Sequence, residues 1–284
     1  MSESVVIIGA PRSGTNMLRD MLIELPGVGT WSCDEINYIW RHGNLRYPSD
    51  EFTAEMATPA VQNYIRQQFD KLANVQNVDT IIEKTCANSL RVGFVDKVLP
   101  EAKYIFIVRD GMDVVGSSLQ RWTASLDVKY ILQKVQYIPL ADLPYYAFRY
   151  LYHRMYRLFS RENRLALWGP AMDDIDGLLK QYSLTEVCAL QWKACVDRAE
   201  EDFTKISADR IIRIRYEDFV CNPISEFSKL ALFLGKEVPY SVNEFLKNNV
   251  RPDSVGKGRK ALTESGVKKL QALVGDTLNR HSYD

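Results

Sequence analysis

Four short runs rich in β-branched and aliphatic residues punctuate the chain: SVVIIG at 4–9, TIIEK at 80–84, KYIFIV at 103–108 and RIIRIR at 210–215. Longer helical patterns separate them, which predicts an α/β fold with a central, mainly parallel sheet flanked by helices. After the first run Met17, Leu18, Met21, Leu22 and Leu25 recur at helical spacing, and Pro26–Gly27 stops the pattern. The polar turn GAPRSG therefore joins a strand to a helix. After the third run Asp110 stands as the N-cap of a helix that buries Val114, Val115 and Leu119. From about 120 to 205 runs a long helical region containing YYAFRYLYHRMYRLF and TEVCALQWKACVDRAEEDF. It is expected to be an insertion within a single domain spanning 1–284, packed over the sheet edge and partly lining a substrate cleft. The Tyr/Phe/Leu spacing of its first half fits a buried helix, or the lining of a sugar, phenol or lipid site.

Composition narrows the partners. The 284 residues are 46% hydrophobic and 25% charged, enough for a large core. Lys+Arg and Asp+Glu balance at 36 each, which argues against a nucleic-acid coat or a membrane-surface protein, so any anion site must be a local cluster. The first residues carry no basic region, and the apolar run Val5–Ile8 is too short for a signal peptide or a membrane span. A cytoplasmic location is expected. Cys33, Cys86, Cys188, Cys195 and Cys221 include no CxxC pair, so they read as reduced and mostly core, with no metal site.

The turn GAPRSG aims backbone N–H groups and the positive end of a helix at one point, which suits a phosphate. The nucleotide-triphosphatase form GxxxxGK[ST] overlays as Gly9 to Gly14 and then fails. Thr15 stands where the phosphate-reaching lysine would be, and Asn16 where the magnesium-binding hydroxyl would be. Arg12, Ser13, Gly14, Thr15 and Asn16 suit a phosphate monoester or a sulfate better than Mg·ATP. A plain tight connection and an atypical P-loop kinase are the alternatives. A second anion element follows β-type run three: Arg109 at its end and Ser117 two helical turns on, both on one side. The alternative for Arg109 is a surface ion pair with Asp110 or Asp113.

APRSGTNML resembles the 5′-phosphosulfate loop of the sulfotransferase family, PKSGTT or PRSGTT, and VRDGMDVVGSS resembles its 3′-phosphate element, with Arg109 and Ser117 at the matching positions. The stretch IIEKTCANSLRVGFVDKVLPEAKYIFIVRD, the YEDF of IRYEDFVCNP, and SVGKGRKAL extend the likeness over nearly the whole chain. The resemblance implies a P-loop-like sulfotransferase fold that needs no metal. The implied donor is 3′-phosphoadenosine-5′-phosphosulfate, used once and released as adenosine 3′,5′-bisphosphate. The implied acceptor is a hydroxyl of a small molecule or carbohydrate, and NRLALWGP resembles a stretch of bacterial members.

In cytosolic small-molecule members the base is a histidine two residues after a lysine. Here Lys84 matches the lysine, but Cys86 stands at the histidine position, and His42, His153 and His281 lie elsewhere. Tyrosylprotein and heparan-type members use a glutamate after the first helix. In TWSCDEINY that position falls on Glu35, with Asp34 as the fallback, in a partly apolar setting beside a second carboxylate. The resemblance further implies that Lys84 neutralises the leaving bridging oxygen and that Arg12 serves the 5′-phosphate and the transferring sulfonate. Lys257, Gly258 and Arg259 would close over the 3′-phosphate as a glycine-hinged lid, and Tyr216 would approach the adenine unless it is a core tyrosine. A nucleotide-binding module that kept these loops without turnover is the rival reading.

Overall fold

Strand β1 (Glu3–Ile8) is the centre of a five-stranded, all-parallel sheet in the order β2-β3-β1-β4-β5. The structure, a computed structural model, describes residues 2–122, 136–148, 151 and 168–283. In chain order the elements are β1, α1 (Thr15–Leu22), β2 (Val28–Thr30), α2 (Asn37–Trp40), α3 (Pro59–Gln76), β3 (Thr80–Lys84), α4 (Val92–Val98), β4 (Lys103–Val108) and α5 (Gly111–Trp122). They continue with α6 (Ile175–Gln181), α7 (Leu184–Phe203), β5 (Ile211–Arg215), α8 (Tyr216–Cys221), α9 (Pro223–Phe233), α10 (Tyr240–Asn249), α11 (Lys257–Lys260) and α12 (Glu264–Arg280).

Both faces of the sheet are covered, which is why the central strands read as continuous apolar runs. Val5, Ile7, Ile105 and Ile107 pack with Leu18, Leu22, Phe219 and Phe227 on one side. The alternate residues Val6, Ile8, Tyr104 and Phe106 pack with Trp40, Phe69, Phe94 and Trp192 on the other. Each such buried side chain stabilises the fold by about 1.5–3 kcal/mol. The connection leaving β1 runs to β2 on one side, while that leaving its neighbour β3 runs past β1 to β4 on the other. The crevice beyond the C-terminal end of β1 is therefore the switch point where ligands of open α/β sheets bind.

The four expected strands are present, and β2 is an additional three-residue edge strand paired with β3. The region read as an insertion divides. Helix α7 starts on its own capping box, Ser183 with Glu186, and buries Cys188, Trp192, Cys195, Val196, Ala199 and Phe203 in the main core. It is a layer of the sheet's covering rather than an addition to its edge. The aromatic half falls largely outside the described residues, as do His153 and most of NRLALWGP; Phe148 and Leu151 are exposed rather than on a buried face. The Trp122 and Trp168 rings meet edge to face, centroids 6.5 Å apart. Four cysteines are buried, Cys221 is exposed, and none of the five is in a disulfide. No helix among the described residues is long and apolar enough to cross a membrane.

Candidate active site

The turn between β1 and α1 leaves several donors unanswered. Arg12 and Gly14 both adopt left-handed backbone, φ 70° and 90°. For Arg12 this costs on the order of 1–2 kcal/mol, and its carbonyl is held by Arg109 Nη1 at 3.1 Å. At Gly14 a side chain is impossible, because a Cβ would lie 2.5 Å from the Tyr216 ring. Gly14 caps α1 without a side-chain bond, so the amides of Gly14, Thr15 and Asn16 have no acceptor among the described residues. Ser13 Oγ is fully buried and also lacks a partner. Buried donors are nearly always satisfied, so a concentration of orphans at a helix start marks an anion cradle.

Cations gather on one flank of this cradle. Arg12 Nε donates to Ser117 Oγ at 2.8 Å, joining the two expected phosphate elements. The Arg12 guanidinium is held below its ordinary value by burial first, then by the charges of Arg121 and Arg109. Arg109 itself is only 7% exposed. Its Nη2 donates to Ser254 O at 2.7 Å and lies 3.5 Å from Asp113 Oδ2, its plane sits 4.3 Å over the Tyr216 ring, and its buried Nε has no partner among the described residues. The pair with Asp113 exists, but as a buried strut rather than a surface contact. The Arg109 carbonyl accepts the Trp192 indole N–H at 3.1 Å, and a Cβ on Gly111 would lie 2.8 Å from that indole.

The basic segment after Ser254, expected to close over the 3′-phosphate between glycines, is tied to Asp113 in this structure. Buried Asp113 accepts the amides of Gly256 at 2.6 Å, Gly258 at 2.8 Å and Arg259 at 3.1 Å. Gly258 is needed for close approach: a Cβ there would lie 2.4 Å from Asp113 Cα, and one on Gly116 2.7 Å from Gly258 Cα. Arg259 Nε reaches Asp110 Oδ2 at 3.3 Å, while Asp110 Oδ1 caps α5 at the Met112 amide. Burial, ahead of every other influence, pushes the Asp110 carboxyl up. Lys257 is exposed. Tyr216 is buried between Gly14 and Arg109, with its hydroxyl 2.5 Å from Ser254 Oγ, so its ring packs in the core.

On the other flank stands an acid–cation pair. Glu35 Oε1 lies 3.3 Å from Lys84 Nζ and accepts the Cys86 amide at 3.3 Å. The Lys84 side chain is 2% exposed and that of Glu35 29%. Asp34 turns instead to Arg19, 3.4 Å away, so the carboxylate neighbour expected for Glu35 is replaced by a cation. Burial alone would lower the Lys84 pKa, but the charge of Glu35, with that of Asp34 adding, leaves the ammonium above its ordinary value. The Cys86 thiol is pushed up to about 12 by burial, with the Glu35 charge adding, and stays neutral. Its Sγ lies 3.7 Å from Thr15 Oγ1, which ties this pair to the cradle. Trp31, Ile36, Glu35 and Lys84 line a narrow crevice.

The acidic loop is braced from behind. Thr85 Oγ1 accepts the Ile36 amide, and Asn37 accepts from Arg91 Nη2 at 2.6 Å. Buried Asp50 accepts from Arg41 Nη1 at 2.8 Å and from the Ala171 amide at 2.9 Å. Ser32 and Tyr137 share a 2.7 Å hydrogen bond, and the Tyr38 and Tyr146 rings meet edge to face, so residues 136–148 border the same side. His42 pairs with Asp142 and His281 is half-buried near Phe106; neither touches the site. Sequence reasoning missed Ser254 and the Cys86 amide, and it read Asp113 only as a surface partner for Arg109. Only Asp113, four residues after Arg109 on the same helix face, carried a usable signal.

A model of the sulfotransferase family matches residues 4–167 and 153–240. The chain belongs to the sulfotransferase family. Among solved structures, this sulfotransferase-family chain resembles the sulfotransferase domain from the curacin biosynthetic pathway, 16% identical with TM-score 0.56, over 97% of this chain and 98% of that one. It also resembles the sulfotransferase domain from the Synechococcus PCC 7002 olefin synthase, 16% identical with TM-score 0.54, over 96% and 95%. A sulfotransferase from Alicyclobacillus acidocaldarius is 14% identical with TM-score 0.55, over 99% and 94%. At these identities the likeness establishes the sulfotransferase fold. No curated protein matches the chain.

Proposed function

We propose that this sulfotransferase-family chain transfers a sulfuryl group from 3′-phosphoadenosine-5′-phosphosulfate to an acceptor hydroxyl on a small molecule or carbohydrate. The observation that carries the reading is the juxtaposition of an anion cradle lacking the triphosphatase lysine with the Glu35–Lys84 pair, joined through Cys86 and Thr15.

The donor, when bound, supplies the sulfuryl group on its 5′-phosphate. The amides of Gly14, Thr15 and Asn16, with Ser13 Oγ and Arg12, suit that phosphate, since each is a donor without a full set of acceptors. Arg109, Ser117 and Arg259, with exposed Lys257 beside them, form the side suited to the 3′-phosphate. Lys84 is held cationic and buried, so it can meet negative charge developing on a leaving oxygen; preorganised donors of this kind are worth about 2.7–4 kcal/mol each. Glu35 receives the acceptor's proton at its carboxylate, and Lys84 and the Cys86 amide orient it. The charge to be neutralised is met by side chains.

The test is turnover of labelled phosphosulfate donor across neutral sugars, phenols and small alcohols, without added magnesium. Labelled, sulfated product supports the proposal. Bisphosphate binding without turnover on any acceptor would favour a nucleotide-binding module, and magnesium-dependent ATP hydrolysis a kinase.

A further inference from the structure

The peptide group joining Arg109 to Asp110 is gripped at both ends. Its carbonyl accepts the Trp192 indole N–H at 3.1 Å, and its N–H donates to Glu217 Oε1 at 3.1 Å. Without Glu217 that amide would be one of the orphan donors before α5. The other oxygen of the same carboxylate, Oε2, accepts the Tyr283 hydroxyl at 2.6 Å, and this hydroxyl also lies 3.2 Å from Val108 O. Tyr283 is buried, and burial, with the charge of Glu217 next, pushes its phenol far up, so it remains a proton donor. Arg215 stacks 4.7 Å over its ring and donates to Ser282 O at 3.2 Å, securing the tyrosine from the outer side.

Fixing both ends of one peptide fixes its plane. That plane sets the direction in which Arg109 leaves the backbone and the place of the Asp110 carboxylate, which holds Arg259. We propose that Glu217, oriented by Tyr283, is a positioning residue for recognition of the donor's 3′-phosphate. It acts by clamping the Arg109–Asp110 peptide against Trp192, and touches no ligand itself. This rests on the donor reading above.

The experiment compares adenosine 3′,5′-bisphosphate with adenosine 5′-phosphate by calorimetry in the full chain, alongside exchange of the Asp110 amide. Glu217→Ala should weaken the bisphosphate about tenfold or more, the size expected for a lost hydrogen bond to a charged group, while the 5′-phosphate changes far less. Glu217→Gln, which can still accept the amide, should restore most of the loss, and Tyr283→Phe should fall between. Asp110 amide protection should drop in Glu217→Ala. Equal losses for both ligands would reduce Glu217 to a general structural role and overturn the proposal. Unchanged Asp110 protection would overturn the clamp whatever the ligand. A wild-type chain that fails to prefer the bisphosphate would instead overturn the donor reading, with the exchange result still reporting on the clamp.

Discussion

The Glu35 carboxylate faces the Lys84 ammonium at 3.3 Å, and the oxygen that does so also takes the Cys86 amide. The adjacent acid, Asp34, is spent on Arg19. If Glu35 takes the acceptor's proton, Glu35→Gln should leave bisphosphate affinity intact and cut kcat by roughly a hundred- to ten-thousandfold. Asp34→Asn should cost little. The reverse ranking, measured as kcat with a fixed acceptor, would move the base by one residue.

Arg109 holds the carbonyls of Arg12 and Ser254, and in the proposed reading it also meets the donor's 3′-phosphate. Arg109→Ala should therefore weaken bisphosphate binding by about 2–5 kcal/mol. It should weaken adenosine 5′-phosphate by a smaller, measurable amount, because the Arg12 turn loses its tie. Arg109→Lys should not rescue, since an ammonium cannot serve separated carbonyls and a stacked ring at once. Titration calorimetry without magnesium distinguishes these outcomes.

Asp50 is a buried carboxylate. Burial would raise its pKa, but Arg91 and Arg41, with the Ala171 amide, hold it below the ordinary carboxylate value. A depressed folded-state pKa gives stability that is present in full above the unfolded value and lost as pH falls through the folded one. The melting temperature should thus fall steeply with acidification below about pH 4. In Asp50→Asn that acid-dependent component should shrink, on a protein already weakened by about 3–5 kcal/mol through two buried guanidiniums left without a counter-charge. Thermal melts of both proteins across pH check it.

Gly258→Ala places a methyl against the Asp113 backbone at 2.4 Å, where neither side can yield without breaking the three amide bonds to Asp113. A loss of about 1–3 kcal/mol in unfolding free energy is expected from such overpacking, accompanied by weaker bisphosphate binding. Gly275→Ala, with nothing within 4 Å of the added carbon, is the control that should do neither.

The central strands were legible because burial on both faces leaves an apolar run with no other explanation, and the cradle was legible because its glycines and hydroxyls are consecutive. Strand β2 was not: three residues containing Gly29 carry no periodicity, and their extended shape comes from pairing with β3. Residues that act across the fold were hidden for a similar reason. Asp113 meets amides some 143 to 146 positions away, and Glu217 meets an amide 107 positions back, separations that no local pattern encodes. Gly258 shows the opposite difficulty. Its type was read as freedom to move, whereas the structure uses it for lack of volume.

The edge-to-face meeting of Trp122 and Trp168 means that the chain departs and returns at one spot. Framework hydrogen bonds follow directly after Trp168, where Gln191 Nε2 donates to the carbonyls of Trp168 and Pro170 and Asp50 accepts the amide of Ala171. Trp122 and Trp168 thus work as a clasp that pins the end of α5 to the segment leading into α6.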